Sequence, residues 1–208
     1  LPGAFVEVAA PASGIDVIAN EIAGKIPLDD DAVAEIPLPF AFPFYGNSYH
    51  SVFVHSNGFL TFGSGSDEFF FGAFESVDDL LTAPPRIAPL WDDLDPSSAG
   101  TVTALADGAD FVIAFTEVPE YAAAFGAGGA NTFSVRLRAD GSFRIRYGTL
   151  SALDGLAGVS QGPFATDPGS IDLSAAPQPI QSAVLSDAIY QIFEPLLGTA
   201  NDLAQRTL

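Results

Sequence analysis

Apolar and polar residues alternate along much of this chain with a period of two. Phe133, Val135 and Leu137 alternate with Ser134, Arg136 and Arg138, and Phe143, Ile145 and Tyr147 alternate with Arg144 and Arg146. That period belongs to a strand with one buried face. Strands are predicted over Phe5 to Val8, Ser51 to His55, Phe59 to Phe62, Asp110 to Val118, Thr132 to Arg138 and Ser142 to Tyr147. Each is rich in Val, Ile, Phe or Thr and bounded by Gly, Pro, Asn or Asp. No segment carries a long, capped period of 3.6. Short helical turns are predicted near Ser76–Leu81 and Asp187–Phe193, the second equally readable as a strand. Twenty Gly and 16 Pro, spread along the chain, fit many short strands joined by turns. The predicted fold class is all-β: an antiparallel β-sandwich with long Gly/Pro/Asp-rich loops and little helix.

Parity fixes one hairpin. Residues directly opposite in an antiparallel pair share a face. A two-residue Asp140-Gly141 loop would set Arg138 against Phe143 and mix the faces. A three-residue loop, Ala139-Asp140-Gly141, pairs Leu137 with Phe143, Val135 with Ile145 and Arg136 with Arg144, and requires Gly141 to be left-handed. Arg136, Arg138, Arg144 and Arg146, four of the seven basic residues, then share one outward face. Like charges opposite one another on a sheet are destabilising, so carboxylates must offset them. An ordinary solvated face paired with local acids is one reading; an interaction surface for anions or another subunit is the other.

Composition narrows the class of partner. Of 208 residues, 48% are hydrophobic and 18 are Phe, enough to drive a real core. The formal net charge is -19, from 26 acidic and 7 basic residues. That field repels nucleic acid and anionic lipid and makes both poor partners. There is no Cys, so stability must come from the core. There is no Met either, so Leu1 is expected to be the start of a processed or trimmed product, secreted with its signal removed. No run of 18 apolar residues is present to span a membrane.

Several motifs carry a resemblance. Leu38-Pro39-Phe40-Ala41-Phe42-Pro43-Phe44-Tyr45-Gly46 leads into Tyr49-His50-Ser51-Val52-Phe53-Val54-His55-Ser56-Asn57-Gly58-Phe59-Leu60-Thr61-Phe62-Gly63, an aromatic strand followed by two strands joined at a tight Asn57-Gly58 hinge. Ile87-Ala88-Pro89-Leu90-Trp91-Asp92-Asp93-Leu94-Asp95, Phe111 to Phe115 with Val118, Asn131 to Leu137 with Asp140-Gly141, and Ala157 to Gly162, read as a closing turn, follow in order. Together, over about residues 36–172, they resemble the nidogen-like (NIDO) extracellular domain and its bacterial surface-protein relatives. Residues 64–85, with Phe69-Phe70-Phe71-Gly72-Ala73-Phe74, have no counterpart in that pattern. The resemblance implies an extracellular adhesion or matrix role and brings no catalytic residues. One domain over residues 1–208 is expected, with segments 1–35 and 173–208 completing the sheets or contacting neighbouring subunits.

Candidate chemistry is sparse. Asp92, Asp93 and Asp95 beside Trp91 form the candidate cation site, for Ca²⁺, since hard cations take oxygen ligands; no other cofactor is implied. Asp29-Asp30-Asp31 reads as a solvated loop. The two histidines, His50 and His55, both lie in a strand, where a hydrogen-bonded structural role is the ordinary one. No nucleophile elbow, zinc spacing or phosphate loop occurs. The expected function is a non-catalytic extracellular module that contacts other subunits or matrix and surface proteins, as in a filament. The alternatives are a carbohydrate-binding adhesin using exposed aromatics such as Trp91, and a secreted hydrolase.

Overall fold

In a computed structural model the described residues are 24–65, 75–121, 129–176, 180, 184–194 and 198–208. The predicted strand at Phe5 to Val8 and the Phe69 to Phe74 run lie outside them. The elements are β1 (Gly24–Ile26), β2 (Val33–Phe44), β3 (Asn47–His55), β4 (Leu60–Thr61), α1 (Val77–Thr82), β5 (Arg86–Trp91), β6 (Thr101–Asp107), β7 (Asp110–Pro119), β8 (Ala130–Arg138), β9 (Phe143–Tyr147), β10 (Gly155–Ser160) and β11 (Ile189–Phe193). They form two antiparallel sheets, ordered β1-β6-β7-β8-β9 and β11-β10-β5-β4-β3-β2. Inward residues of both sheets, among them Phe42, Phe44, Phe62, Phe115, Phe133 and Phe143, fill one core. The fold is the expected all-β sandwich.

The β8–β9 hairpin has the three-residue loop. Leu137 pairs with Phe143, Arg136 with Arg144 and Val135 with Ile145, and Gly141 has φ +86°. The helical turn near Ser76–Leu81 is α1, capped by the Ser76 hydroxyl accepting the Asp79 N–H. The ambiguous segment at Asp187–Phe193 contains strand β11. Residues 157–162, read as a closing turn, instead lie mostly in β10, which sits between β5 and β11. The small side chains of Gly155-Leu156-Ala157-Gly158 masked that strand. Gly158 is needed there because a Cβ would press on Tyr190 of β11.

Strand β5 is buried at every position, because the sandwich core covers one face and α1 lies over the other. Strands covered on both faces read as continuous apolar runs without alternation. A shift of register interrupts its pairing with β10. There Leu156 faces Trp91 and Gly158 faces Ala88, so β5 carries one extra residue. Pro89 sits in that bulge, one of the few places where a central strand tolerates a proline. The bulge resets the alternation: Ile87 and Leu90 point into the main core, and Ala88 and Trp91 into a second cluster with Phe59, Leu80, Leu156 and Tyr190. Tyr147, buried in the opposite sheet, donates its hydroxyl to the Pro89 carbonyl at 2.7 Å. Burial without a counter-charge raises its pKa.

Three of the four sheet edges are closed, each in a different way. Edge strand β2 carries Pro37, Pro39 and Pro43, which have no N–H to offer a docking strand. On β9, Ile145 and Tyr147 donate their N–H groups to Leu208 and Arg206, and Leu208 donates to Ile145. On β11, Ile171 donates to Tyr190, and the Ser170 hydroxyl accepts the Ile192 N–H.

Two outcomes follow. Tyr147→Phe should cost about 1–2 kcal/mol, read as a lower urea midpoint at unchanged m-value, because it leaves a buried carbonyl without its donor; an unchanged midpoint would show that the bridge contributes nothing. Pro37→Thr/Pro39→Thr should leave the melting temperature within a few degrees yet raise light scattering at high concentration. A protein that stays as soluble as wild type would show that those prolines do not guard the edge.

Candidate functional site

The strand ends after β5 and β7 and before β10 meet at one end of the sandwich and bring acids together. Asp92 follows β5, Asp154 precedes β10, its neighbour in the same sheet, and Glu120 follows β7 in the other sheet. One carboxylate oxygen from each lies within 4.8 Å of the others. A second group forms beside it, in which Asp93 meets Asp30 and Asp31 within the same distance. Consecutive residues on an extended chain point oppositely, so Asp92 and Asp93 enter different groups. Main-chain bonds hold the loop across the sheets: Asp95 N–H to Pro119, Tyr121 N–H to Asp93, and a bridge between Leu94 and Glu120.

The Asn57-Gly58 turn is the other support. Ser56 exchanges bonds with Ala32, accepting its N–H at the hydroxyl and donating its own N–H to its carbonyl. The Asn57 side chain donates to Asp31 at 2.9 Å and accepts the Leu94 N–H at 3.2 Å. Its carbonyl accepts the Asp92 N–H. Gly58, at φ +79°, lies so close to β5 that a Cβ would overlap the Leu90 carbonyl oxygen. The turn is therefore a joint between the β1–β2 loop and the β5 loop as well as a hairpin.

Electrostatically the end of the sandwich is strained. Two full charges within 4.8 Å of one another repel by roughly 3 kcal/mol or more at an effective dielectric of ~20. Burial raises Asp92 to about 7, with the Glu120 charge adding. Burial also raises Glu120 and takes Glu75 to about 7, where Asp92 and Asp154 add. Asp93 rises to about 6 through burial and then Asp30, Asp31 and Asp95. Asp92 is 7% exposed. Its Oδ1 accepts the Asp93 N–H at 2.8 Å, while its Oδ2 is sealed from solvent without a donor.

The three acids singled out in the sequence thus separate. Asp92 and Asp93 head neighbouring groups, and Asp95 is in neither. One Asp95 oxygen accepts the Ser97 and Ser98 N–H groups and the Ser97 hydroxyl, which commits it to its own turn. Asp30 and Asp31, read as a solvated loop, join Asp93. Glu75, Glu120 and Asp154 escaped the sequence reading, since they lie far from Asp92 along the chain and carry no motif. The arginines do share one face, but part of it is neutralised locally. Arg136 pairs with Asp107 at 2.7 Å and Asp110 at 3.1 Å, and Arg138 with Asp110 at 3.0 Å. Trp91 is fully buried, with the Arg86 guanidinium 4.5 Å from its ring centroid, so it offers no platform to a sugar.

His55 is also sealed. It stacks on Phe59 at 4.1 Å, and its Nε2 lies 2.9 Å from the Thr61 hydroxyl. That hydroxyl gives its only proton to the Ser64 carbonyl, so His55 Nε2 carries a hydrogen and donates. Burial, then the Arg86 charge, lowers its pKa to about 3. It is held neutral and cannot meet a substrate.

Compared with known proteins, the sequence family described as NIDO related matches the chain over residues 3–192. No curated protein and no solved structure compared with the chain is a match.

The buried histidine makes stability depend on pH in a defined direction. The unfolded chain takes a proton at His55 below about 6.5, whereas the fold resists until about 3. Its contribution is complete above pH 6.5 and is lost as pH falls toward 3. The raised carboxylates act oppositely, stabilising below their ordinary range and losing that contribution as pH rises through 6 to 7. His55→Gln should therefore lose less stability than wild type between pH 7 and 4.5, by about 2 kcal/mol in urea titrations. Identical pH slopes in the two proteins would refute a neutral buried His55.

Proposed function

The chain belongs to the NIDO-related family, and from that premise we propose that it is a non-catalytic extracellular module whose work is contact with other proteins, including further copies of itself in a surface filament or matrix. The observation that carries this is the segregation of charge along the sandwich. Asp110 pairs with Arg138 at one end of the β7–β8 ladder and Pro119 with Ala130 at the other, so Glu120 and the acidic groups lie some 30 Å from Arg138, at about 3.3 Å per strand residue. The acidic end gathers Asp30, Asp31, Glu75, Asp92, Asp93, Asp95, Glu120 and Asp154. Among the described residues none of these forms an ion pair. The far end and adjoining face mix Arg136, Arg138, Arg144 and Arg146 with Asp107, Asp110 and Asp140. Unlike patches at opposite ends suit head-to-tail contacts, which extend into filaments when rotation does not close them.

The closed edges of β2, β9 and β11 support contact through ends and faces in preference to strand addition. Among the described residues no helix is long and apolar enough to cross a membrane. Neither rival has a specific observation in its favour. A sugar platform loses Trp91 to the core, and a hydrolase loses His55 as a base.

Light scattering and negative-stain microscopy on purified protein test this directly. Wild type should associate at high concentration at low salt and dissociate as screening increases. Arg144→Glu/Arg146→Glu should weaken association without changing the circular dichroism of the sheets. A wild-type monomer at every concentration and salt would overturn self-assembly.

A further inference from the structure

We propose that the Asp92, Glu120 and Asp154 carboxylates form a Ca²⁺ site that ties the two sheets together at the acidic end. Clustered acids alone do not make a cation site. What distinguishes this group is Asp92, which is only 7% exposed. Its Oδ1 is taken by the Asp93 N–H, and its Oδ2 has neither a donor nor solvent. A buried carboxylate oxygen without a partner is costly and calls for a positive neighbour. Among the described residues no basic side chain is paired with Asp92, and the ion pairs of Arg136 and Arg138 lie on another part of the surface. A hard cation between the three carboxylates would meet that demand.

Chemistry selects the ion. Three carboxylate oxygens within 4.8 Å of one another are hard donors, and no His or Cys joins them. This donor set disfavours the softer metals as the bound ion. Mg²⁺ keeps its waters and demands a tight octahedron, whereas Ca²⁺ accepts irregular sets of oxygens from separate loops. Glu75 feels the charges of Asp92 and Asp154. The neighbouring Asp30, Asp31 and Asp93 group also holds a sealed oxygen without a partner, Asp30 Oδ1, but Asp30 is only half-buried as a residue, whereas Asp92 is almost wholly enclosed. Because Glu120 comes from one sheet and Asp92 and Asp154 from the other, a bound ion would act as a cross-link. It would serve the module whichever protein that module meets.

Trp91, the chain's only tryptophan, directly precedes Asp92 and makes the site self-reporting. Tb³⁺ shares the oxygen preference of Ca²⁺ and emits when a nearby indole is excited. Chelator-treated protein titrated with Tb³⁺, excited at the red edge of indole absorption, should show saturable emission that Ca²⁺ displaces with a Kd of roughly 0.1–1 mM. Millimolar Ca²⁺, compared with chelator, should raise the melting temperature. Asp154→Asn, a surface change that leaves the core intact, and Asp92→Asn should each weaken Ca²⁺ binding at least about tenfold and erase the thermal shift. Asp172→Asn, an exposed acid elsewhere, should change neither. The site is refuted if no saturable, Ca²⁺-displaceable emission appears. It is equally refuted if Asp154→Asn and Asp92→Asn bind as wild type does, or if Asp31→Asn alone abolishes binding, since the ion would then belong to the adjacent group.

Discussion

The bulge in β5 at Pro89 sets the geometry of everything at the acidic end. A central strand covered on both faces cannot alternate polar with apolar, and one extra residue shifts which face each side chain meets. The shift sends Leu90 into the main core and Trp91 into the outer cluster under α1. The chain then leaves the sheet with Asp92 aimed at Glu120 and Asp154, and Asp93 at Asp30 and Asp31. The Tyr147 hydroxyl satisfies the Pro89 carbonyl from the opposite sheet. One hydrogen bond therefore joins the bulge, the sheet-to-sheet spacing and the direction of the loop. Gly58 completes this arrangement, because only a residue without a Cβ lets the Asn57 turn approach β5 so closely.

Two electrostatic environments lie within a few residues of that strand and work in opposite senses. On the α1 side, Arg86 is buried among Phe59 and Trp91, and its charge helps keep His55 neutral. At the strand end, carboxylates are crowded where burial already disfavours their charge. In the first arrangement two aromatic rings and the Pro84 carbonyl lie against the guanidinium. The second leaves a sealed carboxylate oxygen with no donor, and such a demand is met by a proton or by a cation from outside.

The edges show how a protein rich in strands limits indiscriminate pairing. Prolines occupy β2, C-terminal residues cover β9, and the Ser170–Ile171 loop covers β11. Strand addition along these three edges is thereby disfavoured.

The sequence determined whatever depends on local periodicity. Alternation in Phe133 to Tyr147 fixed the hairpin register, the three-residue loop and the shared face of the four arginines, because parity is a property of neighbouring residues. Glycine and proline spacing indicated short strands, and the ordered motifs pointed to the family. Strand β10 was hidden because its glycines and alanine carry no alternating signal, and the meaning of Asn57-Gly58 was hidden because its partners, Asp31 and Leu94, are remote. Only the tertiary structure decided which acids meet. Asp92, Asp93 and Asp95 look like one group on paper, yet a strand turns successive side chains apart, and Asp95 is held by its own serines. Glu120 and Asp154 reach Asp92 because stacking two sheets brings three strand ends together, and no spacing along the chain encodes that distance.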